Sequence, residues 1–257
     1  MQLRGIDVSA HQGQINWEVV KPQIDFAILR VGYGDNTESQ DDIYFKYNAD
    51  ECTRLGIPFG AYIYSYANTE AHAKSEAEHC LRLLKPYKLS YPIYYDLEDK
   101  VVANCGNKKI EQMSKIFCDI MEQSGYFVGI YASLNWFNNR LYTPFYDRYA
   151  KWVAQYNNKC TYSKPYGMWQ YTSGGSINGI NARVDMNYCY VDYVNLINPR
   201  NKYSYDNTVE MLIKDGIITT DNMQNWEKML DGREPLNPDY VRTILERYHK
   251  KYVNTST

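Results

Sequence analysis

The sequence predicts an α/β protein: a closed, TIM-like β/α barrel over residues 1–200, followed by a small three-helix unit over residues 203–257. Three observations predict it. Short apolar runs alternate with helical stretches through the first part of the chain, the pattern of buried parallel strands joined by helices. Eight such runs fall within about 200 residues, which favours a barrel closed on itself. No glycine-rich phosphate loop follows the first run, which weighs against an open doubly wound sheet.

The elements follow in order. Gly5 to Ser9 and Phe26 to Val31 read as the first two strands. Asp42 to Leu55 has helical periodicity, with Gly56 placed to cap it. Pro58 to Tyr66 is a third strand, and Thr69 to Leu84 a helix rich in Ala, Glu and Lys that Pro86 stops. Pro92 to Glu98 is a fourth strand ending in acid. Lys108 to Ser124 is a helix closed by Gly125, and Phe127 to Tyr131 a fifth strand. After that the long helices cease. Lys151 to Tyr156, Met168 to Tyr171 and Val184 to Tyr188 read as strands joined by loops, so five βα units precede three strands without full helices. Beyond residue 202, helices are expected over 207–214, 221–230 and 239–251, the last opened by Asn237-Pro238.

A net charge of −2 supplies no basic field for nucleic acid, and none is expected as a partner. No run is long and apolar enough to insert in a membrane. The six cysteines form no C-x-x-C pair and no Cys/His cluster, so they read as buried thiols, and neither metal nor cofactor is expected. Twenty-seven tyrosines are the compositional oddity. Their flat apolar faces and polar tips suit a sugar-lined cleft as well as a core.

The chemistry concentrates in Tyr94-Tyr95-Asp96-Leu97-Glu98-Asp99. Residues two apart on a strand share a face, so Asp96 and Glu98 project together at the strand's carboxyl end, where barrel enzymes keep their catalytic groups. Two close carboxyls raise the pKa of one of them, and glycoside hydrolysis needs such a protonated acid. An acidic turn capping the next helix is the competing reading. Asp7 on the first strand and Asp185 on the last stand on neighbouring strands of a closed barrel, so three strands deliver acids to one mouth. Trp169 and Gln170 end another strand, the first able to stack on a pyranose and the second to bind its hydroxyls. Tyr33, Tyr62, Tyr64 and Tyr131 lie near further strand ends as candidate cleft lining.

These residues carry a family resemblance. Gly5-Ile6-Asp7-Val8-Ser9, Phe26-Ala27-Ile28-Leu29-Arg30-Val31-Gly32, Gly60-Ala61-Tyr62, Asp96-Leu97-Glu98, Gly129-Ile130-Tyr131, Trp169-Gln170-Tyr171 and Val184-Asp185-Met186-Asn187 appear in the order found in glycoside hydrolase family 25, the Chalaropsis-type lysozymes. The resemblance covers residues 1 to about 197. It implies a peptidoglycan muramidase cutting the β-1,4 bond between N-acetylmuramic acid and N-acetylglucosamine. Glu98 matches the family's general acid, and Asp96 its partner carboxylate, as nucleophile or as orienter of the 2-acetamido group. Asp7 and Asp185 match supporting acids; Tyr62 and Trp169 match aromatic positions of the sugar subsites. An inactive glycan-binding barrel and a chitinase-like hydrolase are the alternatives; against the latter, position 94 is Tyr where that motif carries a further aspartate. The tail is similar in style to small helical units of clostridial-type wall hydrolases, which implies wall binding, with a homo-oligomer contact as the alternative. Met1-Gln2-Leu3-Arg4 leads straight into a strand without an apolar leader. The expectation is a phage endolysin made in the host cytoplasm and released through a holin, before a secreted autolysin.

Overall fold

The computed structural model describes residues 2–198 and 212–217, together with 242, 244, 246 and 247. The chain divides into two compact units, Met1–Asn198 and Pro199–Thr257. In the second, residues 212–214 are helical and Gly216 turns left-handed at φ 68°. Ile217 is buried, and its carbonyl accepts a 2.8 Å hydrogen bond from the Arg247 guanidinium. The expected helices over 207–214, 221–230 and 239–251 lie largely outside the described residues.

The first unit is a closed barrel whose strands pair in chain order: β1 (Leu3–Val8), β2 (Phe26–Tyr33), β3 (Phe59–Tyr64), β4 (Ile93–Asp96), β5 (Val128–Ser133), β6 (Ala150–Ala154), β7 (Met168–Gly175) and β8 (Val184–Cys189). The connecting helices are α1 (Trp17–Val20), α2 (Phe45–Leu55), α3 (Glu70–Leu84), α4 (Lys100–Ala103), α5 (Asn107–Gln123) and α6 (Leu134–Asn139). No helix joins β6 to β7 or β7 to β8, and the short α7 (Tyr193–Ile197) follows β8. Local chemistry sets the helix ends. The Thr69 hydroxyl accepts the His72 N–H to open α3, and Gly56 closes α2 at φ 67°.

One strand departs from the parallel expectation. β8 runs antiparallel to both β7 and β1. A parallel return needs a crossover of about a dozen residues or more, whereas only residues 176–183 separate β7 from β8. The chain therefore turns back as a hairpin. α2 also starts later than expected, because Asp42 is spent elsewhere: its carboxylate accepts from Arg30 Nε, Ala10 N and Tyr44 N.

Alternation sorts side chains into two layers. Ile6, Leu29, Ile63, Tyr95, Ile130 and Val153 face outward and pack with Ala77, Phe117 and Met121 of the helices. Phe26, Ile28, Tyr94, Tyr131, Trp152 and Met168 fill the barrel. Glycine makes room for the interior rings. A Cβ at Gly129 would lie 2.3 Å from the Tyr94 ring, and one at Gly5 would lie 2.5 Å from the Phe26 ring. Burying these aromatics contributes several kcal/mol, at about 1.5–3 kcal/mol for a fully buried large side chain, and closes the barrel floor beneath the mouth.

Candidate active site

At the carboxyl ends of the parallel strands a cavity of about 200 Å³ opens between acidic walls. Asp7, Asp96, Glu98 and Asp185 all line it, as do Tyr62, Tyr64, Tyr131 and Gln170. β4 ends at Asp96, two residues before the acid that alternation placed on the strand. Leu97 N nevertheless donates to Tyr131 O at 3.1 Å, continuing the ladder one step. Leu97 is buried in the outer layer while Glu98 turns back to the cavity rim, so the two-residue period survives past the strand. The capping role belongs to Asp99, whose carboxylate accepts the Val101 N–H at 2.7 Å to start α4.

The antiparallel β8 is what delivers Asp185. It pairs in register with Asp7, at the start of β8, and only reversal of the strand brings its start to this mouth. Asp7 is 4% exposed, and one carboxylate oxygen accepts from Asn187 Nδ2 at 2.7 Å and Gln170 Nε2 at 2.9 Å. Each donor is itself held. Trp152 Nε1 donates to Asn187 Oδ1 at 2.8 Å, and the Tyr131 and Tyr156 hydroxyls donate to Gln170 Oε1 at 2.9 and 3.1 Å. The network fixes Asp7 and Gln170 in place, because each buried polar group would cost about 1–3 kcal/mol if left unpaired.

Every acid here is harder to ionise than usual. Burial, then the charges of Glu98 and Asp7, push Asp96 well above the carboxylate range, opposed by the Arg30 guanidinium. Its Oδ1 is buried without a hydrogen-bond partner among the described residues. Burial, then Asp185, raise Asp7, although Asn187 and Gln170 stabilise its charge. Asp185 is raised by burial. Glu98 is exposed at the rim, yet enough protein surrounds it that desolvation, followed by the charges of Asp185 and Asp99, raises its pKa too. Crowded together and shielded from water, the four carboxyls resist being ionised all at once.

Two expected lining residues lie elsewhere. Gln170 faces the barrel, so its neighbour Trp169 faces outward, where its Nε1 donates to Gln155 O at 2.8 Å and its ring packs near Tyr171 and Tyr188. Tyr33 stands beside the cavity but not in its lining, edge-on to Tyr66 and under the Arg30 guanidinium. A register shift between Arg30 and Gly32 turns the end of β2. Conversely, Arg30, Trp152, Tyr156 and His11 line the cavity, and Asn187 braces it, without having been singled out. Arg30 carried a signal, a lone cation in an apolar strand; so did Trp152 and Asn187, two positions from other inward residues. Tyr156 ended the expected strand Lys151 to Tyr156, in alternation with the inward Trp152 and Ala154, although the observed strand stops at Ala154; His11 sits outside the strands and carried none.

A closed β/α barrel with paired carboxyls at its mouth defines the architecture and donor set that glycoside hydrolysis uses. The family model of glycosyl hydrolases family 25 matches residues 6–180, and the chain belongs to this family. Among its relatives, the modular autolysin LytC of Streptococcus pneumoniae is 35% identical and aligns at a TM-score of 0.67, over 74% of this chain and 47% of its own. The catalytic domain of endolysin ply40, from bacteriophage P40 of Listeria monocytogenes, is 27% identical with a TM-score of 0.66, over 78% of this chain and 98% of that domain. An autolytic lysozyme of Clostridium acetobutylicum is 27% identical over 187 residues, 72% of this chain and 55% of that protein. The chain thus spans about half the length of LytC and of the autolytic lysozyme.

Proposed function

We propose that the protein is a muramidase that hydrolyses the β-1,4 bond between N-acetylmuramic acid and N-acetylglucosamine in bacterial peptidoglycan, working as a phage endolysin. The observation that carries this reading is the convergence of Asp7, Asp96, Glu98 and Asp185 on one cavity at the barrel mouth. Glu98, raised in pKa and open to the rim, is the proton donor to the leaving glycosidic oxygen. Asp96 is its partner carboxylate. While Glu98 keeps its proton, one of the charges holding up the pKa of Asp96 is absent, and Arg30 favours its ionisation. The pair then offers one acid and one anion, as an oxocarbenium-like transition state requires. Tyr62, Tyr64, Tyr131 and Gln170 flank the sugar. A LytC structure in complex with a synthetic peptidoglycan ligand supports the choice of polymer, and likeness to ply40 supports the endolysin setting.

Clearing of bacterial wall suspensions tests the reaction. Glu98→Gln is expected to slow it about 100-fold or more, with wild-type products ending in reducing N-acetylmuramic acid by mass spectrometry. Equal clearing by both proteins removes Glu98 from the role, and no clearing by the wild type leaves a glycan-binding barrel. Expression in the bacterial cytoplasm addresses the setting: lysis only when a holin is co-expressed supports the endolysin reading, and lysis without one refutes it.

A further inference from the structure

A second cavity, of about 650 Å³, lies at the opposite end of the barrel. Its walls come from the segments just before or at the starts of β5, β6 and β7 (Phe127, Lys151 and Tyr166) and from beyond the end of the reversed β8 (Tyr193 and Leu196). Tyr149 completes an aromatic lining, and Phe127 and Leu196 are exposed at its edge. This volume is in the range of small-molecule sites. None of these residues belongs to the acidic mouth.

The cavity contains an unusual charge. Lys151 projects from the outer face of β6, beside Ile130 of β5, on the face where β4 and β5 bury Tyr95 and Ile130. Its side chain is only 4% exposed. The nearby cations are neutralised: Arg148 is paired with both carboxylate oxygens of Glu122 at 2.9 Å, and Lys164 holds Asp147 at 3.1 Å. Lys151 shares that same Asp147 oxygen, but at 3.8 Å, beyond hydrogen-bond distance. Its ammonium makes no hydrogen bond among the described residues, the Asp147 contact being the nearest. A buried ammonium without a close partner is costly. Burial accordingly lowers its pKa, with Asp147 only partly restoring it.

We propose that this cavity is a binding site for a small amphiphilic anion. An aromatic or alkyl body lies against Phe127, Tyr149, Tyr166 and Tyr193, and one carboxylate, sulfonate or phosphate oxygen pairs with Lys151. The ligand supplies the partner that the fold withholds from the ammonium, and the tyrosines supply the apolar contact.

A matched pair of fluorescent probes tests this on the full chain. 8-Anilinonaphthalene-1-sulfonate carries the ring system and one anion; N-phenyl-1-naphthylamine is the same ring system without it. The sulfonate is expected to saturate one site, and Lys151→Met to weaken it about tenfold or more. The uncharged probe is expected to bind wild type and variant alike. Leu196→Trp, a change at an exposed edge residue, is expected to obstruct both probes and guards against a folding defect at position 151. Wall clearing should stay within twofold of wild type in both variants, and glycan fragments should not displace the probe. Absence of saturable binding, indifference of the sulfonate to either substitution, or its displacement by glycan each overturns the proposal.

Discussion

Glu76 is the least expected acid in the barrel, and replacing it with glutamine should make the protein more stable as pH rises. It lies on α3, 1% exposed, beneath the carboxyl ends of β3 and β4. One oxygen accepts from Ser65 Oγ at 2.8 Å and from the Tyr95 hydroxyl at 2.5 Å, and the other from Tyr66 N at 2.7 Å. These bonds stabilise its charge, but burial outweighs them and lifts its pKa from 4.5 to about 7. A group raised on folding contributes its stability below the unfolded pKa and loses it as pH climbs through the folded one. The loss therefore runs between pH 4.5 and about 7. At about 1.4 kcal/mol for each tenfold change in proton affinity, it amounts to about 3 kcal/mol. Glutamine cannot ionise, and its amide can still accept from Tyr66 and donate to Ser65 or Tyr95. Thermal melts of wild type and Glu76→Gln should nearly coincide at about pH 4 and separate by about 6–12 °C at about pH 8, the variant higher. The comparison between the two proteins cancels the titration of Asp7 and Asp96. Parallel melting curves across this range would refute the reasoning.

Two further outcomes follow from the same electrostatics and domain division. Asp185 raises the pKa of Glu98, so Asp185→Asn should let the acid lose its proton at lower pH and move the basic limb of the wall-clearing profile downward; a limb that stays put or moves up removes Asp185 from this role. We also propose that residues 203–257, beyond the family match at 6–180, bind the wall. Deleting them should reduce pull-down on purified walls, and unchanged retention would leave packing or oligomerisation as their purpose.

Much of the barrel was legible because buried parallel strands write themselves as apolar runs. Phe26 to Val31 and Phe127 to Tyr131 needed no tertiary information to be found. Element ends were less legible. Asp42 looks like the start of a helix until Arg30 and Ala10 compete for its carboxylate. Arg30 was visible as an anomaly, a cation in an apolar strand, but its partner lies twelve residues on, in a loop. Alternation from Trp152 put Tyr156 on the inward face of its expected strand, but β6 ends at Ala154, so its contact with Gln170 depends on where the following loop folds.

By itself the sequence determined the period. Two-residue alternation puts Asp96 and Glu98 on one side of Leu97, and Gln170 on the opposite side from Trp169, whatever the rest of the chain does. What tertiary structure alone decided was direction and neighbourhood. Asp185 stands second in its strand, and a parallel β8 would have carried it to the far end of the barrel. The short link after β7 forces a hairpin instead, and reversal sets Asp185 opposite Asp7 at the acidic mouth. Periodicity is a local property of the backbone, whereas strand direction depends on how far the chain must travel between distant partners.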